Sequence, residues 1–109
     1  MAKKSRDLAQ GTLEMLILKT LALEPLHGYA IALRIEQISE GVFRVGPGSL
    51  FPAFSRLESA GHISSEWHAT ENNRRAKYYI LTSSGRKALK IETHTWEQQT
   101  AAITRILEA

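Results

Sequence analysis

Six basic residues, Arg74, Arg75, Lys77, Arg86, Lys87 and Lys90, fall between positions 72 and 90, and no Asp or Glu interrupts them. Guanidinium and ammonium groups gathered without counter-acids suit one chemistry above others, the neutralisation of phosphate oxygens along a polyanion. Two further stretches share the property: residues 1–6 hold Lys3, Lys4 and Arg6, and residues 42–57 hold Arg44 and Arg56. Together the three stretches carry eleven of the 14 basic residues and none of the 11 acids. The modest net charge of +3 therefore conceals a basic surface set against an acidic remainder.

Other chemistries lack their residues. There is no Cys, which removes disulfides, thiolate zinc sites and thiol nucleophiles together. His27, His62, His68 and His94 are scattered and show no HxxH or HExxH spacing, so no metal is expected. No serine sits in a nucleophile elbow, and the Gly46-Pro47-Gly48 turn lacks the lysine and the preceding strand of a phosphate loop. Neither an enzyme nor a resident cofactor is expected. With 109 residues, 43% hydrophobic and 23% charged, the chain has the size and composition of one globular domain. Its apolar runs are too short to span a membrane, and the one after Gly11 is interrupted by Glu14 and Lys19. No signal peptide is read, and a cytoplasmic location is expected.

The elements that must position these charges follow from periodicity. Leu13, Ile17 and Leu21 mark one face of a first helix over Leu8 to Leu23, which Pro25 stops. Ile31, Ile35 and Ile38 mark a second over His27 to Ser39, with Gly41 as its left-handed end. Leu50, Phe54 and Leu57 mark a third over Ser49 to Ala60, with Ser49 as its N-cap so that Pro52 falls in the first turn. The period then changes to two. Ile63, Ser65 and Trp67 alternate with their neighbours, and Lys77 to Leu81 is aromatic and β-branched, so a hairpin turning at Glu71-Asn72-Asn73 is predicted. Thr82 caps a last helix reaching Leu107, roughly 36 Å long at 1.5 Å per residue. Leu89, Trp96 and Ile103 stand seven apart on it, with Ile106 and Leu107 beyond. That seam is too narrow to bury the helix within one protomer and is suited to pairing with a second copy. Glu92, Gln99 and Thr100 keep it from being a regular coiled coil.

Three helices, a hairpin and a terminal helix describe a winged helix-turn-helix, mainly α with a β-hairpin wing, followed by a long C-terminal dimerisation helix. Residues 1–82 form the DNA-binding region and 83–109 the dimerisation helix. The wording of the chain is specific as well. Pro25-Leu26-His27-Gly28-Tyr29, Pro47 to Ala53, Arg56-Leu57-Glu58 with Gly61-His62-Ile63, and Lys77-Tyr78-Tyr79 with Leu81-Thr82 and Gly85 together resemble the PadR family of bacterial transcriptional regulators. The resemblance runs from about Leu13 to Leu89, and the short chain looks like the family's compact branch. It implies a homodimeric repressor on palindromic operator DNA, often released by small aromatic or phenolic molecules. One departure is Phe51, where the family usually has Tyr; the hydroxyl and any hydrogen bond it makes are lost, while contact with a thymine methyl is retained as an option.

These elements assign candidate sites. Arg74, Arg75 and Lys77 on the wing are expected to grip phosphates, with Arg56 assisting from the recognition helix. Ser49, Phe51, Pro52 and Ser55 lie off the core stripe of that helix, Ser49 near its positive end. Phe51 has a competing role as core packing under the wing, and Tyr29 either packs in the core or reaches a phosphate. Trp67 reads as core. Trp96 has two readings. It fills a dimer core, or it pairs with its symmetry mate in a flat slot for a planar aromatic ligand, and tryptophan at the corresponding place serves that way in compact family members. The expected partners are double-stranded DNA, a second copy of the chain and such a ligand, with no membrane. Two alternative functions are a winged-helix module that binds protein, and a small-molecule sensor in which DNA binding is weak.

Overall fold

A computed structural model describes residues 9–109, so the basic arm of Lys3, Lys4 and Arg6 lies outside the described residues. Helix α1, Gln10–Leu23, buries Leu13, Ile17, Leu18 and Leu21, as the four-residue spacing requires. Glu24 is extended and Pro25 follows, which ends the helix. Helix α2, Gly28–Ile38, is capped by the imidazole Nδ1 of His27, which accepts from the Ala30 N–H at 3.3 Å, and it buries Ile31 and Ile35. Its end turns through two left-handed residues, Glu40 and Gly41, where φ reaches 54° and 82°.

Helix α3, Pro47–Ser59, starts two residues before the predicted point. Gly46 is the cap and Pro47 the first helical residue, so Ser49 is inside the first turn and caps nothing. Pro52 consequently stands in the helix body and leaves the Gly48 carbonyl without its i+4 donor. An interior proline costs about 3 kcal/mol. Burial of Leu50, Phe54 and Leu57, each worth about 1.5–3 kcal/mol, exceeds that cost and keeps the helix whole.

The hairpin forms as predicted. Strands β2, Ile63–Ala69, and β3, Arg75–Leu81, pair antiparallel from Ile63 opposite Leu81 to Ala69 opposite Arg75. Asn73, at φ 60°, makes the tight part of the turn. A two-residue strand, Leu26–His27, pairs with Tyr78 and Tyr79 and was not anticipated, because two residues have no period to read. With the elements numbered along the chain, this is β1, and the sheet order is β1-β3-β2. Only the base of the hairpin is buried, at Ile63, Tyr79 and Leu81. Trp67, read as core, is instead 57% exposed, because β2 runs past the edge of the core before it reaches Trp67.

Helix α4, Ser83–Leu107, begins under Thr82, whose hydroxyl accepts from the Gly85 N–H at 2.9 Å and donates to the Gly61 carbonyl at 2.7 Å. Gly85 is pressed so closely on the turn before β2 that a Cβ there would stand 2.0 Å from the His62 carbonyl oxygen. This contact fixes where α4 leaves the domain. Beyond it the helix buries almost nothing: Gly85 is its one fully buried residue, and Ala88 and Leu89 pack partly on the core.

Candidate nucleic-acid interface

On α3 the core side chains leave the outer surface to Ser49, Phe51, Pro52 and Ser55, all exposed. At about 100° per residue, Phe51, Ser55 and Glu58 succeed one another along the flank facing the wing, at i, i+4 and i+7. Ser49 and Arg56 lie on the opposite flank, and Pro52 lies between. Phe51 is 52% exposed and meets Phe54 edge-on at 5.7 Å, so it rests on the core without entering it. Tyr29, in the first turn of α2, is 69% exposed, which removes its core reading as well.

Between α3, the start of α2 and the wing runs an open groove of about 490 Å³. Tyr29, Phe51, Ser55 and Lys77, all expected from the sequence, line it together. Trp67, His27 and Glu58 line it too and were not expected there. For Glu58 the signal was available, since Phe51, Ser55 and Glu58 share one helical face. For Trp67 and His27 it was not, because the first depends on where the hairpin leaves the core and the second on strand β1.

The charges in and around the groove divide into two kinds. Arg74 and Arg75 are exposed at the far end of the wing, and neither makes an ion pair among the described residues. The Arg75 guanidinium lies 5.6 Å over the Trp67 ring, which orders it without neutralising it. Lys77 and Arg56, by contrast, have acids beside them. The Lys77 ammonium sits 3.7 Å from a Glu58 oxygen and 5.6 Å from the Tyr79 ring. Arg56 donates through Nε to Glu14 on α1. Its expected help in gripping phosphate therefore competes with a contact that ties α3 to α1. Burial, and after it the Glu58 carboxylate, push the Tyr79 phenol above the ordinary tyrosine range.

The second candidate surface is on α4. Trp96 is 45% exposed, and Ile103, Ile106 and Leu107 are more so. Leu89 departs from the predicted seam, being drawn partly into the hydrophobic core. Trp96, Glu92, Thr95 and Gln99 face Gly11, Thr12 and Met15 of α1 across a cleft of about 180 Å³. Among the described residues no helix is long and apolar enough to cross a membrane, and no group of three or more His, Asp or Glu could hold a metal ion.

Comparison with known proteins identifies this arrangement. The model of the transcriptional regulator PadR-like family matches residues 17–91, from α1 through the wing into α4. A protein of a Streptomyces fradiae transposon is 43% identical over 82 residues, which are 75% of this chain but 22% of that protein; the chain thus spans about a fifth of that relative's length. The transcriptional regulator Rv3488 of Mycobacterium tuberculosis is 30% identical over 85% of this chain and 83% of its own. The crystal structure of smu.1704 from Streptococcus mutans superposes with a TM-score of 0.84 at 30% identity, covering 97% of this chain and 95% of the other. The outward serines of α3, the cationic wing and the exposed last helix are thus set on the fold of a transcriptional regulator and not of an enzyme, and the chain belongs to the PadR-like family.

Proposed function

We propose that this regulator binds palindromic operator DNA as a homodimer and acts as a repressor, with α3 in the major groove, the wing on the flanking backbone and α4 joining the two copies. The observation that carries the reading is the outward side of α3, where Ser49, Phe51, Pro52 and Ser55 stand exposed, with Tyr29 beside them and, on the wing, the cations Arg74 and Arg75, which have no ion-pair partner among the described residues. Hydroxyls and guanidinium groups position the protein on phosphates, and the α3 side chains reach base edges. A protein-binding module would call for an apolar α3 face without flanking cations, which this face is not. Selection from a random duplex library tests the reading directly. The expected product is an inverted repeat whose half-sites lie about one helical turn apart, roughly 34–36 Å. Recovery of no enriched duplex would refute it.

Release by a planar aromatic ligand follows from Trp96. Its indole lines the α1–α4 cleft and remains 45% exposed, so a symmetric pair would present two flat apolar walls. A panel of planar aromatics, followed by tryptophan fluorescence, should quench the wild type and spare Trp96→Ala, with Trp67→Phe as the control that keeps the signal. Quenching that survives in Trp96→Ala would place the ligand elsewhere.

A further inference from the structure

Among the described residues lining the groove, Glu58 is the only acid and Lys77 the only lysine or arginine. A carboxylate on a surface meant for phosphate repels its target, so its placement requires an explanation. Its surroundings supply one. The Ser65 hydroxyl donates to Glu58 Oε2 at 2.6 Å, which anchors the carboxylate from the wing side. The other oxygen, Oε1, stands 3.7 Å from the Lys77 ammonium, which the Tyr79 ring flanks from a second side. Lys77 thus has a carboxylate beside it within the groove before any nucleic acid arrives. Arg74 and Arg75, farther along the same strand and turn, have no such partner among the described residues.

We propose that Glu58 is a brake on sequence-independent DNA binding: it retains Lys77 within the groove and repels the backbone, so that Lys77 reaches phosphate only when α3 is seated on its own site. This rests on the DNA-binding reading above and adds a specificity-determining residue to it. On an arbitrary duplex the exposed wing arginines touch phosphate while Lys77 stays with Glu58. On the operator, base contacts from α3 bring the backbone into the groove, and Lys77 exchanges carboxylate for phosphate. The acid lowers affinity for all DNA, and it lowers affinity for the wrong DNA more.

The test needs no knowledge of the operator. A 30-bp duplex of arbitrary sequence is titrated at several salt concentrations with the wild type, Glu58→Gln, Lys77→Gln, the double variant and Ser65→Ala. Glu58→Gln keeps an oxygen for Ser65 and loses the charge. It should bind about tenfold tighter, with a salt slope steeper by about 0.9 for each lysine released. Lys77→Gln alone should stay within about twofold of wild type, and in the double variant it should erase the gain. Ser65→Ala, which breaks the anchor but keeps the charge, should change little, whereas a merely structural Glu58, whose tie to Ser65 the glutamine keeps, would leave Glu58→Gln at the wild-type affinity and slope. A tenfold loss in Lys77→Gln would overturn the proposal whatever the folding of the Glu58 variant, because Lys77 would then already meet phosphate. Unchanged affinity and slope in folded Glu58→Gln, with the wild type binding, would overturn the brake alone. A wild type that binds no duplex at low salt would overturn the DNA-binding reading and the brake with it.

Discussion

Replacing Arg74 and Arg75 together by Ala should reduce affinity for the operator about a thousandfold near physiological salt and flatten the salt dependence, while the fold survives. Both side chains are exposed at the wing, and neither has a carboxylate partner among the described residues. Their removal therefore breaks no ion pair among the described residues, and exposed substitutions of this kind change stability by about 0.5 kcal/mol or less. The loss of the Arg75–Trp67 stacking adds a similarly small exposed term. On DNA the balance is different. Each guanidinium that neutralises a phosphate releases condensed counterions, which adds about 0.9 to the slope of log K against log salt. A dimer with two wings would lose four such contacts, so the slope should fall by roughly 3.6. At about 1 kcal/mol for each charge-assisted contact, the affinity loss is about three decades. Electrophoretic or fluorescence titration across a salt series measures both quantities. A double variant with wild-type affinity and wild-type slope would show that the wing does not touch the backbone.

The residues involved also show what a single chain of letters can disclose. Arg74 and Arg75 were legible because a turn flanked by two strands has a short-range signature and their charges need only be counted. The helices were legible for a related reason, since Leu13, Ile17 and Leu21 repeat at the helical period over more than two turns and Ile31 and Ile35 over one, although Ile38, on the same stripe, is exposed. Where a position depended on partners distant in sequence, the reading failed. Trp67 continues the period-two pattern of Ile63 and Ser65, yet the core ends before it, and alternation along a strand does not show how far the core extends. Strand β1 exists only because Tyr78 and Tyr79 offer an edge to Leu26 and His27. The start of α3 was misplaced because the cost of an interior Pro52 was weighed without the burial of Leu50, Phe54 and Leu57 that offsets it. Arg56 counts as a basic residue of the recognition helix in sequence, and only the approach of α1 pairs it with Glu14, 42 positions away. Glu58 stands within a family-like segment of the sequence, but its place opposite Lys77 arises from the packing of the wing against α3.

Substituting Ile103 and Leu107 together by Glu should convert the protein to monomers of 12.2 kDa and abolish tight operator binding. The reasoning starts from what α4 leaves uncovered. Its 25 residues extend about 37 Å, and after Leu89 none of its apolar side chains reaches the core of its own protomer. Trp96, Ile103 and Leu107 fall on one stripe at spacings of seven and four, and all three are exposed. Apolar surface of this kind on an otherwise polar helix favours association with a matching surface, and a symmetric pair of α4 helices supplies one. Glutamates at 103 and 107 would bring four like charges into that interface, where each buried, unpaired carboxylate costs several kcal/mol. Because Ile103 and Leu107 are exposed and stand outside the core cluster, each copy should keep its helix content and melting behaviour. The effect on DNA then comes from valency. Once one half-site is bound, a linked second protomer meets its own half-site at an effective concentration of about millimolar, and separate monomers lose that advantage, typically 10²–10⁴ in affinity. Sedimentation equilibrium gives the mass and operator titration the affinity. A charged variant that remains dimeric and binds operator as the wild type does would remove α4 from the interface and require the two copies to meet through another surface.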